Sequence, residues 1–360
     1  VTTGSSPDGL DLIALTTYLQ RESVPLEGAL TARLISGGRS NLTYFVSDGV
    51  SRWVLRRPPL GDILAGAHDV AREHRVMAGL GNTAVPVPKM VTLCQDESVL
   101  GVPFYMMDEV AGKVLRTTDM VEPLASRTRA ALGDALIDTL ADLHDADFEA
   151  AGLGGLGRPD GYLQRQVDRW VHQYAVIKNR ELAYVDDVVA ALRAGMPQMS
   201  TASVVHGDYR IDNVIVDLDD PSKIAAVLDW EMATLGDPLA DLGMLLMFWD
   251  EAGRLFNPIT DGLTAFEGFP SRDEVIERYV TRRGLQVDNL DWYLVFSQFK
   301  LAIILEQIHV RHQTGHTRGE GFQGLGDMVA SLLQTARDDI ERSPRLQIPR
   351  RSKTSVKRQL

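Results

Sequence analysis

Residues 203–218 read SVVHGDYRIDNVIVDL, a histidine, three aspartates, an arginine and an asparagine crowded into one short span. Val204 and Val205 precede the charges, and Val214, Ile215 and Val216 follow them, so the span lies between two segments that read as buried strand. A surface turn can hold Asp and Asn for backbone reasons alone. Here, however, His206, Asp208 and Asn213 fall in the order H-x-D-x-x-x-x-N, and Asp229 follows 16 residues later in VLDWE.

Phosphoryl transfer supplies a physical reason for that spacing. It needs a carboxylate beside the attacking hydroxyl and oxygen ligands that hold magnesium on the nucleotide phosphates. Asp208 fits the first part, since an ionised carboxylate can accept the proton of the attacking hydroxyl. Asn213 and Asp229 fit the second, because magnesium favours hard oxygen donors and takes few of them from protein. Strands on either side would hold the loop in place, as positioning chemistry requires.

The rest of the chain is compatible with a soluble enzyme. Its 360 residues suit two lobes, and 44% hydrophobic and 24% charged residues with a mean hydropathy of -0.08 are globular values. The single cysteine, Cys94, excludes an intramolecular disulfide and reads as a buried, inert thiol in a reducing compartment. No stretch of about 18 apolar residues suggests a membrane span. The opening VTTGSSPDGLDL lacks the layout of a secretory signal, so a cytoplasmic location is expected. A net charge of -12 argues against nucleic acid as a partner. The end of the chain, 345–360, is locally basic through Arg345, Arg350, Arg351, Lys353, Lys357 and Arg358, and reads as a flexible solvated tail.

Patterning divides the chain into a sheet-rich start and a helical remainder. Leu10 to Gln20 has helical spacing behind a cap expected at Pro7 and Asp8. Leu30 to Ile35, Leu42 to Val46, Trp53 to Leu55, VPVPKMVTL and GVPFYMMDEVAG read as strands, with a helix at Ala67 to Leu80 inserted among them. From Thr117 helices dominate, beginning with the stripe Leu132, Leu136, Leu140 and Leu143, a core face. Further helices are expected at Tyr162–Tyr174, Val185–Arg193, Pro238–Trp249, Arg272–Arg283, Trp292–His312 and Gly326–Ile340, and a strand at Ile224–Leu228. Of the histidines, only His312 and His316 stand at i and i+4, without a carboxylate motif on the same face, so zinc is not expected. Neither G-x-S-x-G, C-x-x-C nor a P-loop occurs.

VVHGDYRIDNVIV and AVLDWEMATLGDPLADLG resemble the aminoglycoside phosphotransferase and choline kinase family, which shares the protein-kinase fold. The likeness runs from about Leu34 to Leu246. It implies that Asp208 is the catalytic base, that Asn213 and Asp229 bind magnesium, and that Arg210 neutralises the transferred phosphoryl group. Asp241 resembles the buried aspartate that braces the catalytic loop. SGGRSNLTYFV resembles the loop that covers the nucleotide, with Gly37, Gly38, Ser40 and Asn41 at the phosphates. WVLRRPP resembles the strand that carries a phosphate-binding lysine, but Arg56 stands there instead, with Glu73 as its implied partner. MMDEVAG resembles the hinge, where Asp108, Glu109 and Val110 would meet adenine. VLRRPP, GRPDGYLQRQVDRW and LDWEMATLGDPLADLG most resemble the branch formed by the kinase-like domains of acyl-CoA dehydrogenase fusions.

The expectation is therefore an α+β, bilobal, protein-kinase-like fold. It has a small antiparallel-sheet N-lobe (1–110), a larger, mainly helical C-lobe (111–344) and the basic tail. The expected function is transfer of the ATP γ-phosphate, with Mg2+, to a hydroxyl of a small molecule, either a hydroxyacyl thioester or an aminoglycoside-like acceptor. The alternative from another class is a catalytically weak nucleotide-binding or regulatory module. A protein kinase is a third option, disfavoured by the long helical insert from Thr117 to Gly195. The resemblance to the acyl-CoA dehydrogenase fusion branch tilts the expected acceptor toward a hydroxyacyl or other non-cationic substrate, with an aminoglycoside-type activity as the close alternative. Preference for ATP or GTP and oligomeric state have no signal in the sequence.

Overall fold

The computed structural model describes residues 7, 9–35, 41–58, 69–199, 201–217, 219–251, 259–314 and 324–348. In chain order the elements begin with α1 (Leu12–Arg21), β1 (Thr31–Leu34), β2 (Leu42–Ser47), β3 (Arg52–Arg57), α2 (Val70–Leu80), β4 (Met90–Cys94), α3 (Glu97–Leu100) and β5 (Phe104–Asp108). They continue with α4 (Thr118–Val121), α5 (Ser126–Asp145), α6 (Tyr162–Ile177), α7 (Val185–Ala194), β6 (Ser203–Val205), β7 (Val214–Val216), β8 (Ile224–Val227) and β9 (Thr234–Gly236). Four helices complete the order: α8 (Pro238–Phe248), α9 (Arg272–Arg283), α10 (Leu290–Gln313) and α11 (Leu325–Arg342). The expected α+β class holds, an antiparallel-sheet N-terminal part followed by a mainly helical remainder. Two compact units divide the chain, the first comprising 1–157, 203–235 and 248–284, the second the rest.

In the first unit, β1-β2-β3-β5-β4 form a five-stranded antiparallel sheet. Alternation along β3 sends its residues to opposite faces. Trp53 and Leu55 join Leu12, Leu15, Tyr18 and Leu19 of α1 in one apolar cluster, together with Tyr44, Val46, Phe104 and Met106. Arg56 therefore points to the other face. Directly opposite it in the register stands Tyr105 of β5, and α2 packs there against β4 and β5.

The start of α1 differs from the sequence expectation. Asp11 is the N-cap, its Oδ1 accepting the N–H groups of Ile13 (2.9 Å) and Ala14 (3.0 Å). That position satisfies two of the helix's orphan donors, which Pro7, four residues upstream of Asp11, does not reach; Asp8 lies outside the described residues. At α2 the described helix begins at Val70 behind the N-cap Asp69, and 67–68 lie outside the described residues. The small elements α3, α4 and β9 carry too few residues to show a period, and patterning missed them.

Also in this unit, α5 carries the leucine stripe as a buried face: Leu132, Leu136, Leu140 and Leu143 are all fully buried. Along its polar side Asp138, Asp142 and Asp145 receive Arg278, Arg282 and Arg283 of α9, at 2.8, 2.6 and 2.8 Å. Ser271 and Glu274 close a reciprocal cap at the start of α9. Two short ladders, β6-β9 and β7-β8, frame the charged span.

The second unit is built on α10, whose residues from Trp292 to Glu306 are buried on nearly every side, as expected of a central helix. It packs against α6, α7 and α11. Gly243 of α8 lets the backbone of α10 come close, since a Cβ there would lie 2.8 Å from Tyr293 O. Among the described residues, no helix is long and apolar enough to cross a membrane.

Candidate active site

The quoted span forms a loop between β6 and β7 that is held from below by its histidine. His206 is fully buried, and its Nδ1 accepts the Asp208 N–H (3.2 Å). Nε2 therefore carries the ring proton and donates to Leu228 O (2.8 Å). Gly207 takes φ +85°, and a Cβ there would lie 2.9 Å from Met232 Cβ. Only glycine allows both the backbone sign and that approach. Tyr209 is buried and donates to Leu136 O (2.9 Å), which ties the loop to α5.

Asp208 then stands with both side-chain contacts on one oxygen. Its Oδ2 accepts from Asn213 Nδ2 (3.0 Å) and from Arg210 Nε (3.3 Å), while Asn213 Nδ2 also donates to Asp208 O (2.8 Å). The amide nitrogen of Asn213 is thus fixed toward Asp208, which turns its oxygen away. Arg210 Nη1 donates to Asp212 Oδ2 (2.6 Å), and the guanidinium lies 5.1 Å from the centre of the Phe248 ring. Burial pushes the Asp212 carboxyl up, partly offset by Arg210 and reinforced by Asp208.

The β7-β8 pairing brings the second carboxylate alongside. Val214 faces Val227, and Leu228 N–H donates to Asn213 O (2.8 Å), so Asp229 begins one residue beyond a direct bond to Asn213. Asp229 adopts φ +64°, ψ +58°, a left-handed conformation that Asp tolerates better than most side chains. Such strain is common where a side chain must be aimed.

Arg56 reaches Asp229 from the sheet. Its Nη2 donates to Asp229 Oδ1 (2.8 Å) while its Nε lies 3.3 Å from Glu73 Oε2. Burial works against the charge of Arg56, yet the neighbouring Tyr105, Glu73 and Asp229 groups outweigh it and hold the guanidinium above its ordinary value. Glu73, on α2, is completely buried and accepts from Asn41 Nδ2 (2.8 Å) and Tyr105 OH (2.9 Å). Burial pushes its carboxyl up to about 7 against the opposing pull of Arg56 and Tyr105.

Asp208, Arg210, Asn213, Asp229, Arg56 and Glu73 all fall in one unit as two contact groups, Asp208 with Arg210 and Asn213, and Arg56 with Glu73 and Asp229. Asn41 is buried, and its amide nitrogen donates to Glu73 (2.8 Å). Gly37, Gly38 and Ser40 lie outside the described residues. At the expected hinge, Asp108 ends β5, Glu109 N–H donates to Arg52 O (3.1 Å), and Val110 follows half-buried. Asp241 is buried in the second unit.

Sequence reasoning missed Tyr105, Arg72 and Asp212. Arg72 of α2 donates to Ala233 O (2.7 Å) and Leu156 O (2.7 Å), fastening the helix of Glu73 to the segment after Asp229. Tyr105 could have been found from strand alternation once β5 was paired with β3, but Arg72 left no local signal.

Comparisons with known proteins bear on the fold and the family. Residues 31–286 match the model of the phosphotransferase enzyme family. Acyl-CoA dehydrogenase family member 11 of Gallus gallus is 35% identical over 321 residues, covering 85% of this chain and 40% of that protein. The chain therefore spans less than half the length of that relative. A crystal structure from Ralstonia eutropha JMP134, described as a candidate aminoglycoside phosphotransferase, superposes with a TM-score of 0.81 at 31% identity, covering 92% of this chain and 98% of the other. An aminoglycoside phosphotransferase in complex with GDP and kanamycin shares the fold, with a TM-score of 0.60 at 16% identity over 91% and 99% of the two chains. With the H-x-D-x-x-x-x-N pattern, the sheet and the family match all in agreement, the chain belongs to the phosphotransferase enzyme family.

Proposed function

We propose that this protein transfers the γ-phosphoryl group of ATP, brought in with Mg2+, to a hydroxyl of a small molecule. The observation that carries the reading is the Asp208 carboxylate, with Oδ2 bound by Asn213 and Arg210 and Oδ1, among the described residues, left for the acceptor. Asp208 would accept the hydroxyl proton as the oxygen attacks phosphorus, and the bond from phosphorus to the leaving ADP oxygen would break. Arg56 would contact the nucleotide phosphates, with Glu73 and Asp229 aiming its planar fork.

The donor set fits magnesium. Asn213 presents an amide oxygen turned from Asp208, and Asp229 retains Oδ2 while Oδ1 meets Arg56. Among the described residues no group of three His, Cys, Asp or Glu side chains could hold a metal alone, which suits an ion carried largely by phosphates and water. When bound, magnesium would neutralise charge on the transferred group. Use of a nucleotide is supported by the fold-sharing phosphotransferase solved with GDP.

For the acceptor, similarity to an acyl-CoA dehydrogenase family member favours a hydroxyacyl thioester of coenzyme A over an aminoglycoside. ADP release measured across a panel of hydroxylated metabolites, hydroxyacyl thioesters and kanamycin-like compounds tests this. Stimulation by hydroxyacyl-coenzyme A is expected. Robust antibiotic phosphorylation without any thioester response would reverse the ranking. One observation favours a second reading, a nucleotide-binding module of low turnover: the Arg56 guanidinium engages one oxygen of the proposed metal carboxylate. Tight ATP binding without turnover of any acceptor would select it.

A further inference from the structure

Asp212 takes no part in the transfer as proposed, yet it is held at a cost to the fold. Its Oδ1 is buried without a hydrogen-bond partner among the described residues, and a buried acceptor in that condition destabilises a protein. Its Oδ2 makes the short contact of the loop, 2.6 Å from Arg210 Nη1, whereas the contact of Arg210 Nε to Asp208 is longer, at 3.3 Å. Phe248 lies 5.1 Å from the same guanidinium. A guanidinium is planar and rigid, so fixing one terminal nitrogen and one face also fixes the direction of Nε. An arginine without those two restraints would sample many rotamers. Residues 206–210 lie outside regular helix and strand, so no local element does this work.

We propose that Asp212 is a positioning residue. It anchors Arg210 so that Nε holds Oδ2 of the base Asp208 and Oδ1 stays turned to the acceptor hydroxyl. The inference rests on the reading of Asp208 as base. It also explains why a carboxylate with an orphan oxygen stands one residue before Asn213.

The test compares the full chain with Asp212→Asn, Asp212→Ser and Asp208→Asn. ADP release from magnesium–ATP is followed with the best acceptor and with water alone, and thermal unfolding is recorded in parallel. Asp212→Asn keeps the shape and one acceptor oxygen but removes the charge that pairs with Arg210, so some loss of melting temperature is expected whether the residue positions the base or only stabilises the loop. Its kcat per folded molecule should also fall roughly ten- to a hundredfold, the scale of a misplaced reacting group, with the KM for ATP unchanged. A purely structural residue would give a lower melting temperature with normal kcat per folded molecule, and that result overturns the proposal. Asp212→Ser supplies the same comparison if the amide variant does not fold. Wild-type kcat in Asp212→Asn beside an inactive Asp208→Asn sinks this inference and leaves the base assignment standing. Full turnover in Asp208→Asn removes both.

Discussion

Glu73→Gln should change how stability depends on pH. The carboxyl is completely buried, and burial pushes it from the ordinary 4.5 up to about 7. That displacement corresponds to about 3 kcal/mol in favour of the neutral form. Below pH 4.5 the group is protonated in both folded and unfolded chains and contributes its full stabilisation. Between pH 4.5 and about 7 the folded state keeps the proton while the unfolded state releases it, so this contribution is lost as the pH rises. Above about 7 both states are ionised and the slope vanishes. Arg56, Tyr105, Asn41, Asp229 and Glu231 are the polar and charged groups around the carboxylate; Arg56, the Tyr105 hydroxyl and the Asn41 amide N–H favour the ionised form, while Asp229 and Glu231 add to the effect of burial. A glutamine can still accept from Asn41, and it cannot titrate. The stability of the variant relative to wild type should therefore rise by about 3 kcal/mol between pH 5 and pH 8. Urea unfolding at pH 5, 6, 7 and 8 measures it. A difference that stays constant with pH refutes the reasoning. A difference of opposite sign would mean that Arg56 prevails over burial and keeps Glu73 ionised throughout.

Asp208→Asn should still bind magnesium–ATP and lose turnover by roughly 10²- to 10⁴-fold, the range for a removed general base; near wild-type phosphorylation of a confirmed acceptor would contradict the assignment. Asp229→Asn keeps a side chain that tolerates φ +64°. It should weaken ATP binding when magnesium is present and leave binding in EDTA unaffected, and equal losses in calorimetric titrations under both conditions would place Asp229 outside the metal site. Arg56→Met should raise the KM for ATP and lower the rate, whereas Arg56→Lys should retain much of the activity, since a cation between Glu73 and Asp229 is what the site requires. Full activity of the methionine variant would move the phosphate contact elsewhere.

Much of the site was legible because its parts are close in sequence. Asp208, Arg210 and Asn213 share one loop, and the flanking valines announce the strands that carry it. The pairing of Val214 with Val227 then brings Asp229 to Asn213 through a short hairpin. The helices with long apolar stripes were equally plain, since a period of 3.6 is visible only over several turns. The elements that escaped, α3, α4 and β9, are too short to repeat anything. The cap of α1 was misplaced because Pro7, Asp8 and Asp11 all resemble start signals, and only the backbone decides which one meets the orphan N–H groups.

The order H-x-D-x-x-x-x-N and the strand-bearing arginine belong to the chain as written, because they rest on residue type and local spacing. The partners of that arginine do not. Arg56 and Asp229 are 173 residues apart and meet only because the sheet and the β7-β8 hairpin come together in one unit. The bond from the Asn41 amide to Glu73, 32 residues on, is likewise a product of the fold, where a buried carboxyl needs donors that solvent does not supply. Asp212 looks like one more polar loop residue until the fold buries one of its oxygens and sets the other against Arg210. Residue type states which groups can ionise, donate or coordinate. Burial and direction decide which of them must pair, and both come into being only when distant segments pack.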